Sequence, residues 1–241
     1  MSDRTDTGPP AAFAWLVHAF TASGAVLAFL ALMAIEREQW RLALLWLLIA
    51  LAVDGVDGAM ARWARVKDKA ARIDGDTLDL IIDYLTYVFV PTALIWRAGL
   101  VPETLALPAA ALIQLSALYH FTRRDLKTGD NYFRGFPALW HVVALYLVVA
   151  EASPEAGAVT VVIFSALSFA PVLFVHPFRV RDYGKWLPVL AILWALATVA
   201  LLWPRWSDAA GTALLAFSLA AGAVLMALGL IRTVRGPRPA L

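Results

Sequence analysis

DGVDGAMARWARVKDKAARIDGDTLDLIID, residues 54–83, is the stretch on which the reading of this chain turns. Four of its carboxylates, Asp54, Asp57, Asp79 and Asp83, stand in helical register on two apolar segments separated by a basic loop. Asp54 and Asp57 are three residues apart on one predicted helix, and Gly58 and Ala61 continue the same face, so both acids point one way with space in front of them. Gly75, Asp79 and Asp83 follow at steps of four, which stacks the second acidic pair on one stripe of the next helix. Two such stripes facing each other gather oxygen ligands. Four packed carboxylates repel unless a cation neutralises them, and hard divalent ions such as Mg²⁺ or Mn²⁺ take that ligand set. A structural polar network, or an ion or proton pathway of a small carrier, draws on the same residue types.

Outward from this stretch the chain is apolar almost throughout. It is 61% hydrophobic with a mean hydropathy of +0.73, more than a soluble domain of 241 residues carries, which predicts an all-α, polytopic transmembrane helical bundle. The absence of cysteine excludes disulfides and thiolate metal sites. Apolar runs at Ala11 to Ile35, Arg41 to Met60, Leu78 to Trp96, Glu103 to Phe121, Gly135 to Ala150, Gly157 to Val175, Trp186 to Trp203 and Ala209 to Ile231 predict about eight spans in a single integral-membrane domain, residues 1–241. The first run is too long for the apolar core of a cleaved leader, so it is expected to remain as a span.

Loop charges orient this bundle. Sixteen of the twenty Lys and Arg residues fall on one set of loops and the termini, including Arg62 to Arg72, Arg123 to Arg134 and Arg179 to Lys185, while Arg37, Arg41, Arg97 and Arg205 occupy the other set. That asymmetry predicts both termini and the acidic stretch at the cytoplasmic face. The pI near 9.0 then reflects topology rather than nucleic-acid binding. Arg65, Lys67, Lys69 and Arg72 on the acidic stretch's own loop either set orientation in this way or contact phosphates and anionic headgroups. The four histidines, His18, His120, His141 and His176, lack metal-ligand spacing and read as buried or interfacial imidazoles with hydrogen-bond partners.

The pattern D-x-x-D-G-x-x-A-R, a spacer, then G-x-x-x-D-x-x-x-D closely resembles the signature of the CDP-alcohol phosphotransferase family of membrane enzymes. The spacer, twelve residues from Trp63 to Asp74, is longer than in most of that family. This length, the additional Gly55 and the eight predicted spans make the chain similar to the bacterial phosphatidylcholine synthases within it. The segment Phe133-Arg-Gly-Phe-Pro-Ala-Leu-Trp-His141 is similar to theirs as well, with His141 standing where relatives are expected to carry Asn.

The resemblance implies a reaction in which an alcohol attacks the phosphorus next to the diacylglycerol of CDP-diacylglycerol and CMP departs, in the bacterial inner membrane with the active site at the cytoplasmic face. It implies that Asp54, Asp57, Asp79 and Asp83 hold a divalent metal, Mn²⁺ or Mg²⁺, as two ions, and that Asp83 is the general base. By the same resemblance Gly58, Ala61, Arg62, Asp68 and Gly75 contact the nucleotide, and His18 and Thr21 match an Asn-x-x-Thr pair of the first helix whose Asn is missing here. Homodimers are common in the family.

The acceptor expected is choline, with serine or another small alcohol as the alternative. Acceptors carrying a second phosphate need a further basic pocket, and the cavity-facing helices show none. A fixed quaternary cation is held by aromatic faces beside an acid, and Tyr84, Tyr87, Tyr119, Tyr132 and Trp140 are the candidates. A carrier function would not account for Arg62 and the glycines at their offsets, and transporter sites tend to the membrane midplane rather than to one face.

Overall fold

The computed structural model describes residues 9–203 and 208–236; Arg4, Arg205 and Arg238 of the charge pattern lie outside the described residues. The chain runs through α1 (Ala11–Glu36), α2 (Trp40–Ala64), a single turn α3 (Val66–Lys69) and α4 (Gly75–Asp83). A π-helical segment, Tyr84–Phe89, carries α4 without a break into α5 (Val90–Arg97). Then come α6 (Ala106–Thr122), α7 (Trp140–Val149), α8 (Pro154–Phe169), α9 (Trp186–Ala200) and α10 (Asp208–Arg235), with two short strands, β1 (Phe133–Arg134) and β2 (Leu173–Phe174).

Five segments are long and apolar enough to cross a bilayer: Ala11–Glu36, Trp40–Ala64, Gly75–Arg97, Glu103–Thr122 and Ala209–Arg235. With Leu16, Phe29, Leu107 and Leu196 among the large apolar side chains left exposed, they make this an all-α, multi-pass membrane protein. A helix is present at each of the eight predicted runs, but α7, α8 and α9 are shorter than the other five.

The inner face of α1 is a stripe of mostly small side chains, Ala14, Val17, Thr21, Gly24, Ala28 and Ala31, which brings its backbone close to α2 and to the third span. Gly24 is required there, since a Cβ would run into the Ile82 side chain of α4. The main core lies toward the far end of this trio and includes Leu44, Leu47, Leu94, Ile95, Ile113 and Trp140. A second cluster, Ala14, Val17, Ala64, Val66 and Ala70, seals the end next to the α2–α4 loop. The acidic stretch sits between the two.

Two predicted runs are corrected. The run from Gly135 is not helical until Trp140, because Gly135 (φ 79°) and Ala138 (φ 54°) occupy the left-handed region on either side of Pro137. The run to Val175 leaves the helix after Phe169 and returns as β2, which pairs antiparallel with β1 through Phe133↔Phe174 and Arg134↔Leu173. Hydropathy alone does not separate a helix from a buried irregular segment.

This small sheet is tied down from both sides. Gly135 packs on the Ser168 carbonyl, and its amide donates to the Val172 carbonyl at 2.7 Å. From α10, Thr233 Oγ1 accepts from the Leu173 amide at 2.8 Å, and Arg232 Nε donates to Asp130 Oδ2 at 2.8 Å. Burial alone would lift the Asp130 carboxyl, but hydrogen bonds from Arg232 and Thr128 outweigh it and hold the group below the usual carboxylate range. Gly135→Ala combines a positive φ with a collision against Ser168, and is expected to cost about 1–3 kcal/mol, measured as a lowered Tm of the full chain in detergent.

Candidate active site

The site is built where α2 and α4 come together. Arg65 ends α2 in the left-handed conformation (φ 53°, ψ 47°), which turns the chain out of the helix after Ala64. Asp74 starts α4 by capping it, its Oδ1 accepting from the amides of Asp76 at 3.1 Å and Thr77 at 3.2 Å. Those bonds and the Thr77 hydroxyl hold the Asp74 carboxyl below its ordinary range. The connecting loop is cross-linked by Lys67–Asp76 at 2.6 Å and Arg65–Asp68 at 3.1 Å, and Lys69 Nζ reaches the Pro9 carbonyl at 2.5 Å. The long spacer thus forms an ordered turn, and α4 returns alongside α1.

Oxygens of Asp54, Asp57 and Asp79 converge within 4.8 Å of one another. Asp57 is nearly fully buried and accepts from Thr21 Oγ1 at 2.8 Å, while Asp54 accepts from the Tyr87 hydroxyl at 2.5 Å. Asp83, one turn beyond Asp79, lies outside that trio but within electrostatic reach of all three acids. Among the described residues no side-chain hydrogen bond is directed at Asp79 or Asp83, so two acids of the four are oriented by hydroxyl donors and two are not. Three convergent carboxylates with two oriented by hydroxyl donors suit a hard divalent cation, and the protein can hold one here.

The other predicted site residues fall into two groups. At the acids, Thr21 is committed to Asp57, and His18 packs against Gly75, where a Cβ would approach its Cε1 to 3.2 Å. The Arg62 guanidinium folds back over Gly58, 3.5 Å from where a Cβ would sit, while Ala61 packs beside the cluster that closes this end. Tyr87 lies with its ring against His141, centroids 4.6 Å apart, and Tyr84 hydrogen-bonds Gln114. Farther away, Asp68 is exposed and paired with Arg65, and Tyr119 is exposed beneath the Arg123 guanidinium at 5.4 Å. Tyr132 has no exposed surface; its hydroxyl donates to Asp182 at 3.0 Å, and Arg232 covers its ring at 5.6 Å. Trp140 is likewise fully buried, edge-on to Phe136.

His18, His120 and His141 are buried and His176 is half-buried, but their hydrogen-bond partners are incomplete. Both His141 nitrogens lack a hydrogen bond, as does Nδ1 of His120 and of His176. Outside the spans, burial pushes the His176 imidazole down to about 4, so it is neutral at pH 7.

Residue-by-residue reading missed three features. The π-helical segment directly after Asp83 changes the phase of the third span and turns Tyr87 to Asp54; nothing in Tyr84–Phe89 announces it. The polar link from Tyr84 through Gln114 to Thr92, with Gln114 Nε2 donating at 2.9 Å, braces the same segment against α6. Lys127 and Arg179 also act electrostatically on Asp54 from two separate loops, and in the sequence they look like any other loop charges.

Thr21→Val keeps the volume of the side chain and removes the donor to Asp57. It is expected to weaken the divalent ion by about 10–100-fold, as loss of a ligand-orienting contact commonly does, read as a higher Mn²⁺ concentration at half-maximal activity.

No family model matches the chain. Individual proteins match closely. The chain is 42% identical over 222 residues to a phosphatidylcholine synthase of Pseudomonas aeruginosa, covering 92% of each. It is 39% identical over 198 residues to one of Mesorhizobium japonicum, covering 80% of this chain and 74% of the relative. To one of Borreliella burgdorferi it is 37% identical over 172 residues, covering 71% and 74%. Likeness of this extent spans the acidic core and most of the helices around it, and the chain belongs to the phosphatidylcholine synthase family of enzymes.

Proposed function

We propose that the protein transfers the phosphatidyl group of CDP-diacylglycerol to choline, releasing phosphatidylcholine and CMP. The observation that carries this reading is the meeting of Asp54, Asp57 and Asp79 from two helices, with Asp83 set beside them. Asp54, Asp57 and Asp79, with Asp83 at the edge, would hold two divalent ions, Mn²⁺ or Mg²⁺, whose chemistry is to neutralise the diphosphate and the charge growing on CMP.

The chain's own residues supply the rest. Thr21 and Tyr87 fix the acids they touch. Asp83 takes the choline hydroxyl proton as the hydroxyl oxygen bonds the phosphorus next to diacylglycerol. The bond from that phosphorus to the bridging oxygen breaks, and the oxygen leaves with CMP. Arg62, folded over Gly58, is available for phosphate oxygens, and Gly75 leaves room for the His18 ring at the start of α4. Of the aromatic candidates, Tyr87 and Tyr84 are adjacent to the acids, and a ring beside a carboxylate suits a quaternary ammonium. The charge asymmetry of the loops supports an inner-membrane protein with this site at the cytoplasmic face, where CMP can leave.

The test is purified full-length protein with CDP-diacylglycerol, Mn²⁺ and equal concentrations of choline, serine and ethanolamine. Choline-dependent CMP release together with phosphatidylcholine is the expected outcome. Preference for serine or ethanolamine would move the acceptor, and no CMP release with any of the three would remove the reading.

A further inference from the structure

The third span changes register directly after Asp83. Across Tyr84–Phe89 the helix is π, with the Val90 amide donating to the Leu85 carbonyl five residues back. A wide turn of this kind is rare, and keeping one takes contacts that an α-helix does not need. Here they are side-chain hydrogen bonds. Thr86 and Thr92 donate back to the carbonyls of Ile82 and Val88, at 2.9 and 2.7 Å. The remaining hold comes from a different helix. Gln114 lies in a span, Glu103–Thr122, whose side chains from Ala106 to Ile113 are all apolar. An amide in such a place is costly unless both its ends are bonded. Both are: its Oε1 accepts from the Tyr84 hydroxyl, and its Nε2 donates to Thr92 Oγ1 at 2.9 Å. Tyr84 opens the π segment and Thr92 lies past its end, so one side chain of α6 ties the whole insertion together.

What the widened turn presents to the acids is Tyr87, whose hydroxyl donates to Asp54 Oδ2 at 2.5 Å. His141 packs against the Tyr87 ring with centroids 4.6 Å apart, but neither of its nitrogens makes a hydrogen bond. It backs the ring without setting the register of the turn. We infer that Gln114 is a positioning residue for the metal-holding acids: by tying Tyr84 to Thr92 across the π segment, it keeps the Tyr87 hydroxyl on Asp54. This rests on the reading of Asp54, Asp57 and Asp79 as metal ligands proposed above. The two hydrogen bonds of Gln114 go to Tyr84 and Thr92 rather than to an acid, so its effect on the metal runs through Tyr87.

The test is direct Mn²⁺ binding by the full chain in detergent, without CDP-diacylglycerol or choline, followed by the electron paramagnetic resonance signal of free Mn²⁺. Tyr87→Phe is expected to raise the Kd by about tenfold, as loss of a ligand-orienting bond does. Gln114→Leu is expected to raise it by about fivefold, within the worth of one neutral hydrogen bond. Added to Tyr87→Phe, however, it should change the Kd by less than about twofold, because two residues acting through one contact are not additive. Tyr84→Phe keeps the ring and releases one end of the tie, and should raise the Kd by about threefold; it carries the test if Gln114→Leu does not fold. A Kd within about twofold of the unaltered chain for both Gln114→Leu and Tyr84→Phe, whatever their Tm, would overturn the inference, as would a full and independent loss from Gln114→Leu on top of Tyr87→Phe. Either result leaves the metal reading standing. Absence of Mn²⁺ binding in the unaltered chain would remove both.

Discussion

Asp83→Asn is expected to lower choline-dependent CMP release by about 10²–10⁴-fold, the usual contribution of a positioned general base. The choline hydroxyl has an intrinsic pKa far above neutrality, so its proton must be accepted as the oxygen attacks. Asp83 is suited to this because it stands beside the Asp54, Asp57 and Asp79 oxygens that meet within 4.8 Å, rather than among them. Asn keeps the size and much of the polarity of the side chain and loses the proton acceptor. The measurement is single-turnover kinetics at saturating substrate, alongside the Tm of the variant. Full activity would reject Asp83 as the base. A fall in both activity and Tm would point instead to a structural role.

Chelation is expected to abolish turnover altogether and to loosen the fold. Without a cation, Asp54, Asp57 and Asp79 place like charges within 4.8 Å, beside Asp83, and like charges this close repel. An ion bound only by the folded chain stabilises it by about 2.7 kcal/mol at a hundredfold excess over Kd, which for a chain of this size is roughly 5–10 °C in Tm. Treatment with EDTA should therefore remove CMP release and lower Tm, and Mn²⁺ or Mg²⁺ should restore both. Asp57→Asn should abolish most of the metal-dependent rise in Tm, since Asp57 is the most buried member of the trio. Activity that survives exhaustive chelation would exclude a metal-held diphosphate.

What could be read from the sequence, and what could not, follows from the range of each interaction. The steps of three and four among Asp54, Asp57, Asp79 and Asp83 are local helical geometry, so which acids share a face of each helix was legible; that Asp54, Asp57 and Asp79 meet while Asp83 stands outside depends on how the helices pack. The all-α membrane class was legible in the long apolar runs, yet the segment from Gly135 to Leu139 was not distinguishable from a helix by hydropathy. Thr21 stood out as a polar residue in an apolar span, but its partner 36 residues away is set by how α1 packs. His141 reads as a buried imidazole, and its ring does lie against Tyr87; that neither nitrogen finds a donor or acceptor depends on neighbours from other helices. Lys127 was indistinguishable from other loop cations because its place is set by a bridge to Phe133, which in turn pairs with Phe174, 41 residues farther along the chain.

The anchoring of the sheet by Thr233 and Arg232 has a consequence for how the chain tolerates shortening. Every carboxylate of the site is in hand by residue 83, but the β1–β2 sheet is anchored only when the last helix docks, 150 residues later. A product ending before α10 would keep the whole acidic set and lose the two side chains that hold that sheet, so the last helix belongs to the same folding unit although it contributes no carboxylate to the site.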